Sequence, residues 1–213
     1  LSDETETALN LADPGAVGGE SAGGCLMIAG YEGTETAVAR RQEAVTELLT
    51  ARGGVPLGEG PGQAWADGRF NAPYLRDSML DVGVLVETLE TASFWSRLPV
   101  VYDAVKQALS ESLGEGLIVL CHISHVYETG ASLYYTVAFK ESEDPLAQWA
   151  AAKAASLDAM VASGATITHH HAIGIDHKPW LSAEIGEVGV RMLRALKESV
   201  DPAGVLNPGV LIP

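Results

Sequence analysis

At 213 residues, with 47% hydrophobic and 19% charged side chains, the chain can bury the core of one large domain, and its composition is not that of a disordered protein. Thirteen basic residues against 28 acidic ones leave a formal charge of −15, which repels phosphate backbones and anionic membrane surfaces and argues against nucleic acid as a partner. Cys25 and Cys121 are too few and too far apart for a disulfide framework or a metal pair, so a reducing, cytoplasmic setting is expected.

No apolar run approaches the ~20 residues that cross a bilayer, and no signal peptide is visible. The opening Leu1-Ser2-Asp3-Glu4 reads as part of a longer chain, and residues 1–23, polar and rich in glycine, as a flexible entry segment. Cys25–Ala29 is an apolar run that predicts a buried strand. Thr34 caps a following helix with Val38, Val45, Leu48 and Leu49 on one side, stopped by Gly53-Gly54. A short strand at Val55–Leu57 completes a β-α-β unit, and Gln63–Leu80 reads as helical with a break at Pro73.

The rhythm then repeats. Val82–Leu89 has a strand pattern, Ser96 and Pro99 open a helix carrying Val101, Val105 and Leu109, and Leu117–Val126 is a long strand. Tyr127–Gly130 is a turn. Leu133, Tyr135, Val137 and Phe139 alternate with Ser132, Tyr134 and Thr136, the mark of a half-buried hairpin strand. Asp144-Pro145 begins a helix to about Ala162, Gly164 ends it, and Ala165–Thr168 is extended. The last helix, Ser182 to about Val200, carries Ile185, Val188, Met192, Leu193, Leu196 and Val200 on one stripe, which need not dock on the sheet. The fold predicted is α+β, a ferredoxin-like and mostly antiparallel sheet with helices on one face, plus a C-terminal helical segment. Its domains are 24–168 for the sheet and 169–213 for the histidine loop and tail.

Two segments carry chemistry. In Thr168-His169-His170-His171-Ala172-Ile173-Gly174, an extended backbone directs His169 and His171 one way and His170 the other. Three imidazoles between apolar stretches are either a proton-handling site or an exposed polar turn. In Cys121-His122-Ile123-Ser124-His125-Val126-Tyr127, polar residues gather at the end of an apolar strand. Tyr127 is either an acid or base beside a cationic neighbour, or a hairpin-end aromatic with a solvated hydroxyl. His122, His125, His169 and His171 together supply enough imidazole for a zinc site, but His122 and His125 lie three apart on a strand and so face opposite sides, which argues against joint chelation without a bend; no metal is expected. Arg76 either clamps an anion or pairs with Asp77 or Asp81. Gly15–Gly24 lacks the Lys-Ser/Thr ending of a phosphate loop and precedes no helix.

These residues resemble a known family. His169-His170-His171-Ala172-Ile173-Gly174 followed by Lys178-Pro179-Trp180-Leu181 is similar to the alkylglycerone-phosphate (alkyl-dihydroxyacetone-phosphate) synthases, FAD-linked enzymes of the vanillyl-alcohol-oxidase type. Tyr127-Glu128-Thr129-Gly130-Ala131 resembles that family's tyrosine turn, and Tyr74–Asp77, Glu90-Thr91-Ala92, Trp95 and Asp144-Pro145-Leu146 follow in the expected order. The resemblance covers roughly residues 23–206. It implies the substrate-capping, C-terminal part of a flavoenzyme whose FAD is bound mainly by its own N-terminal domain, outside this chain, and inactivity of the chain alone. The family exchanges the acyl group of acyl-dihydroxyacetone phosphate for a fatty alcohol, with the flavin as electrophile and no net redox change.

Carried over, Tyr127 is the proton-abstracting base, and His169, His170 and His171 share the catalytic work. His170, His171 and Asn207 approach the cofactor, and Arg76 holds the lipid-phosphate substrate. A homodimer is admitted as a further partner. Ala172 departs from the glycine the synthases tend to have, and Asp201–Gly209 is more like the broader FAD-linked oxidases such as D-lactate and glycolate dehydrogenases. Their Gly-Asp-Gly-Asn turn with a following His, and their Glu before His-Gly-Ile-Gly, are missing. An FAD-linked oxidoreductase acting on a 2-hydroxy acid or other alcohol is therefore the alternative enzyme, and a stand-alone ferredoxin-like binding module the alternative of a different class.

Overall fold

The computed structural model describes residues 1–10 and 24–213, so the glycine-rich part of the expected entry segment lies outside the described residues. The chain divides into two compact units, Leu1–Ser78 and Met79–Pro213.

The first unit holds helices α1 (Glu4–Asn10), α2 (Glu35–Thr50) and α3 (Gly60–Gly68), and most of α4 (Ala72–Leu80). Thr34 caps α2 as expected, its Oγ1 accepting from the Ala37 N–H at 3.4 Å. The helix ends where Gly53 turns left-handed at φ +85° and the Gly54 N–H donates back to the Leu49 carbonyl. The predicted helix over 63–80 is two helices, with Pro73 in the first turn of the second, where its missing N–H costs nothing.

The two strands expected around α2 are not formed. Leu26 donates its N–H to Thr7 Oγ1 and accepts from the Ser2 N–H, so Cys25–Ala29 is tied to α1 rather than to a neighbouring strand. Met27 is 45% and Val55 78% exposed. An apolar run becomes a strand only where a second backbone pairs with it, and neither segment is in a strand.

The second unit is built as β1 (Val84–Phe94), α5 (Leu98–Leu113), β2 (Ile118–Val126), β3 (Gly130–Lys140), α6 (Pro145–Ala162) and α7 (Leu181–Val200). The sheet order is β1-β3-β2, with both pairings antiparallel. The β1-α5-β2 unit is therefore split by β3, the ferredoxin-like arrangement. After α6, the extended piece expected at Ala165–Thr168 runs beside β1: the Thr166 N–H donates to the Ala92 carbonyl at 3.0 Å, and Thr91 Oγ1 donates to the Thr166 carbonyl at 2.5 Å.

Pro99 stands in the first turn of α5, but Arg97, not Ser96, is the residue before the helix, and it makes no side-chain cap. Leu98, Val101, Val105 and Leu109 lie on one face of α5 at helical spacing and are buried. They form one core with Leu89 of β1, Val119 and Cys121 of β2, Leu133, Tyr135, Val137 and Phe139 of β3, and Leu157 and Met160 of α6. Both helices thus cover one face of the sheet, and the opposite face carries the polar half of the alternation. Helix α7 is kinked at Gly186 (φ +72°) and buries only Leu181 and Val190; Val188, Met192, Leu196 and Val200 of the predicted stripe are each at least 60% exposed. Among the described residues no helix is long and apolar enough to cross a membrane.

Candidate active site

The helix-free face of the sheet positions the site. Register places Glu90 of β1 opposite Tyr134 of β3, and Tyr134 opposite His122 of β2, one row across three strands. His122 stacks on Tyr134 with ring centroids 5.1 Å apart. Further along, β2 carries a bulge between Ile123 and Val126. Its extra residue re-aims the strand, and buried Ser132 fastens it by accepting the His125 N–H at 3.0 Å. His125 therefore turns toward the histidine triplet, with its ring 5.0 Å from His169 and 5.1 Å from His170. The expectation that His122 and His125 face opposite ways is overturned by this bulge.

The triplet itself is a bend, not an extended strand, because a carboxylate gathers its backbone. Glu90 is 3% exposed. Its Oε1 accepts the consecutive N–H groups of His169, His170 and His171 at 2.5, 2.7 and 3.0 Å, and Thr168 Oγ1 at 2.5 Å. Successive N–H groups converging on one anion form a nest. Burial pushes the Glu90 carboxyl up, but the hydrogen bonds from Thr168, His171, His170 and His169 outweigh it and hold the group below the usual carboxylate range. The alternation expected for the three imidazoles is lost. They form a continuous array, His169 to His170 at 5.3 Å and His170 to His171 at 4.7 Å between ring centroids.

Tyr127 completes the site. Its hydroxyl lies 2.8 Å from His169 Nε2. The turn that presents it is closed by the Tyr127 N–H to the Gly130 carbonyl at 2.8 Å, and braced by Trp95 Nε1 donating to the Tyr127 carbonyl at 3.2 Å. Only glycine fits at 130, since a Cβ there would stand 2.0 Å from the Ser93 carbonyl oxygen. The far side of His169 faces Glu90: Nδ1 is 3.6 Å from Oε2, His170 Nδ1 is 3.3 Å from the same oxygen, and the two Nδ1 atoms are 3.2 Å apart. Three lone-pair atoms that close repel unless an N–H lies among them. A proton on His169 Nδ1 satisfies this and leaves Nε2 free to accept from Tyr127.

Two open clefts adjoin the array. One of about 310 Å³ is walled by Ala92, Phe94, Tyr127, Ala131 and Gly164. The other, about 450 Å³, lies beside His171 with Thr88, Lys153, Asp176 and His177. Burial pushes the His171 imidazole below its ordinary range, with Glu90 opposing. His177 is held by Nδ1 to the Ile173 carbonyl at 2.9 Å and shapes the loop. The loop is pinned to α6 by Lys153 to Asp176 at 2.9 Å and by Trp180 Nε1 donating to Asp158 at 2.7 Å.

The structure thus brings Tyr127, His169, His170 and His171 together. It does not bring in Asn207, which sits in a turn of the tail at φ +43° and is exposed. Arg76 is exposed on α4, in the first unit, and no ion pair with Asp77 or Asp81 is found among the described residues. Glu90 and Ser132 were not singled out for a role from their chemistry, and His125 was weighed only as a metal ligand beside His122. A carboxylate at Glu90, set among Leu89, Thr91 and Ala92 in a strand whose only other acid is Glu87, was the available signal, since a buried charge needs partners.

The match to known families agrees with this geometry. Residues 1–211 match the family described as FAD linked oxidases, C-terminal domain. The chain belongs to that family. The FAD-linked oxidase assignment is sharpened by relatives: the chain is 33% identical over 193 residues to alkyldihydroxyacetonephosphate synthase of Dictyostelium discoideum, covering 89% of this chain and 32% of that protein. It is 30% identical over 192 residues to the enzyme of the same name from Trypanosoma brucei brucei, covering 88% and 31%. A solved structure of alkyldihydroxyacetonephosphate synthase superposes with a TM-score of 0.62 at 29% identity, over 84% of this chain and 30% of that one. The chain spans about a third of the length of these relatives. It is a flavin-enzyme family member, and its small antiparallel sheet with helices on one side is that family's C-terminal fold.

Proposed function

We propose that this chain supplies the proton-handling, substrate-side half of a flavin-dependent enzyme that replaces the acyl group of an acyl-dihydroxyacetone phosphate with a fatty alcohol. The observation that carries the reading is the bond from Tyr127 Oη to His169 Nε2, with the other nitrogen of that ring turned to a buried carboxylate. Similarity to synthases of this name supports the substrate class.

The exchange needs a proton taken from the carbon beside the ketone, departure of the acyl chain as a carboxylate, and entry of the alcohol oxygen in its place. Tyr127 Oη passes its proton to His169 Nε2 and, as phenolate, takes the proton from carbon. Glu90, ionised in the nest, stabilises the imidazolium so formed. The cleft against Tyr127, with Ala92, Phe94 and Ala131 in its walls, suits an alkyl chain held near the reacting carbon.

A flavin fits the donor set. Exposed imidazoles of His170 and His171 beside the Tyr134 ring offer hydrogen-bonding groups and aromatic faces to a planar ring with polar edges. Bound there, it would supply an electrophilic centre toward the activated substrate. Those two residues would hold its edge.

The test is exchange of labelled fatty alcohol into acyl-dihydroxyacetone phosphate by the flavin-loaded enzyme that contains this chain. Tyr127→Phe is expected to lower turnover by about 10²–10⁴-fold. Flavin bleaching by a 2-hydroxy acid with no exchange would replace this reading with that of an oxidoreductase, which the family's description also accommodates. Unchanged exchange in Tyr127→Phe would remove Tyr127 as the base.

A further inference from the structure

The proton pathway leaves His125 unused, although the bulge in β2 and the bond from its N–H to Ser132 are what hold it over the triplet. His125, His169 and His170 each present a ring nitrogen, and the three lie within 4.8 Å of one another. Beneath them is Glu90 Oε2, a buried carboxylate oxygen with no hydrogen-bond partner, between the Nδ1 atoms of His169 and His170. We propose that His125, His169 and His170 form a site for one divalent transition ion of the zinc class, and that filling it stops proton transfer between Tyr127 and His169. The second half rests on the proton-handling role proposed above; the first does not.

The donor chemistry selects the ion. Three neutral imidazoles suit zinc, cobalt or copper, and offer little to magnesium or calcium, which want oxygen. Zinc–nitrogen bonds of about 2.0–2.1 Å require the three nitrogens to draw closer. His125 and His170 are exposed, so small ring rotations can close that gap, while the backbone under them is fixed by Ser132 and by the Glu90 nest. A ligating imidazole gains from a carboxylate that receives its other N–H and offsets the ion's charge, the place Glu90 occupies. Three protein ligands leave a fourth position for water or a substrate oxygen.

The consequence for His169 is the same whichever nitrogen binds. An ion on Nε2 removes the acceptor of the Tyr127 proton. An ion on Nδ1 leaves the ring's one proton on Nε2, which then only donates. Either way the phenol keeps its hydrogen.

Titration of the full chain with Co²⁺, read by its visible absorption and competed with Zn²⁺, tests the site without flavin or substrate. We expect one equivalent bound with the spectrum of nitrogen ligation, an affinity lowered in His125→Ala by at least the roughly 10–100-fold that loss of a mere supporting partner brings, and little change in His122→Ala, whose ring stacks on Tyr134 outside the cluster. Equal affinity in wild type and His125→Ala overturns the proposal, as does a loss in His122→Ala as large as in His125→Ala. His125 is exposed, so its removal leaves the core intact. In the flavin-loaded enzyme, Zn²⁺ is expected to abolish exchange in wild type and to spare His125→Ala at the same concentration. Undiminished exchange with the ion bound overturns the shut-off. Intact Co²⁺ binding in an enzyme with no exchange activity would sink only the reading of function.

Discussion

Tyr127 and His169, 42 residues apart in sequence, meet hydroxyl to Nε2 at 2.8 Å. One sits on a hairpin turn and the other on a loop gathered by a third strand, so the contact exists only because β1, β2 and β3 are in register. If the two act in series, removing either should cost most of what removing both costs. We expect the Tyr127→Phe, His169→Gln double variant to lose no more than about tenfold beyond the weaker single variant. Losses that multiply across the two would show independent roles.

Glu90 holds the loop through its charge and its shape together. Glu90→Ala strands three N–H groups and is expected to lower stability by about 3–5 kcal/mol, read by urea denaturation. Glu90→Gln keeps an acceptor for the loop and should lose about 1 kcal/mol in stability, while exchange activity falls much further than stability does. A fall of activity only in proportion to folded protein would leave Glu90 a structural residue.

Gly130→Ala would press a methyl group onto the Ser93 carbonyl. The backbone must shift, at about 3 kcal/mol, and the shift displaces the turn that carries Tyr127. Loss of the Tyr127–His169 bond should appear as a changed His169 ring signal in NMR. A variant with native melting temperature and native signal would contradict the packing described.

Ala172 stands at φ +68°, a left-handed conformation that costs an alanine roughly 1 kcal/mol. Ala172→Gly relieves it, offset in part by the freer unfolded chain. A gain of up to about 1 kcal/mol is expected, with the loop geometry kept. Destabilisation by this change would mean the strain is taken up elsewhere.

Asp201 closes α7. The Lys197 ammonium foremost, with the N–H groups of Leu206 and Val205, lowers its carboxyl from 3.8 to about 2 against the opposing effect of burial. A folded value below the unfolded one means the bond stabilises the tail above about pH 4, and is lost as pH falls from there toward 2. The Val205 and Leu206 amide shifts should therefore titrate with a midpoint near 2, and Asp201→Asn should flatten them. A midpoint near 3.8 would refute the tie.

The sheet unit was legible from sequence because its alternation and its turns are local. Leu133, Tyr135, Val137 and Phe139 face a core that neighbouring residues complete, and Asp144-Pro145 and Gly164 mark the ends of α6. The strands predicted at Cys25–Ala29 and Val55–Leu57 failed because an apolar run reports a preference for burial and not the presence of a pairing backbone. The tyrosine and the triplet could each be singled out from sequence, but their assembly was not visible. The bulge depends on Ser132, a residue on another strand, and the bend at 169–171 depends on Glu90, about 80 positions upstream.

Glu90 Oε1 grips the triplet by three main-chain N–H groups, which any side chains at those positions would leave in place. The loop's bend thus rests first on its backbone, with the imidazoles adding contacts to the other oxygen of the same carboxylate. Positions 169, 170 and 171 form an exchangeable keyboard on a fixed frame, where mutation can rewrite reactivity one residue at a time while folding goes on undisturbed.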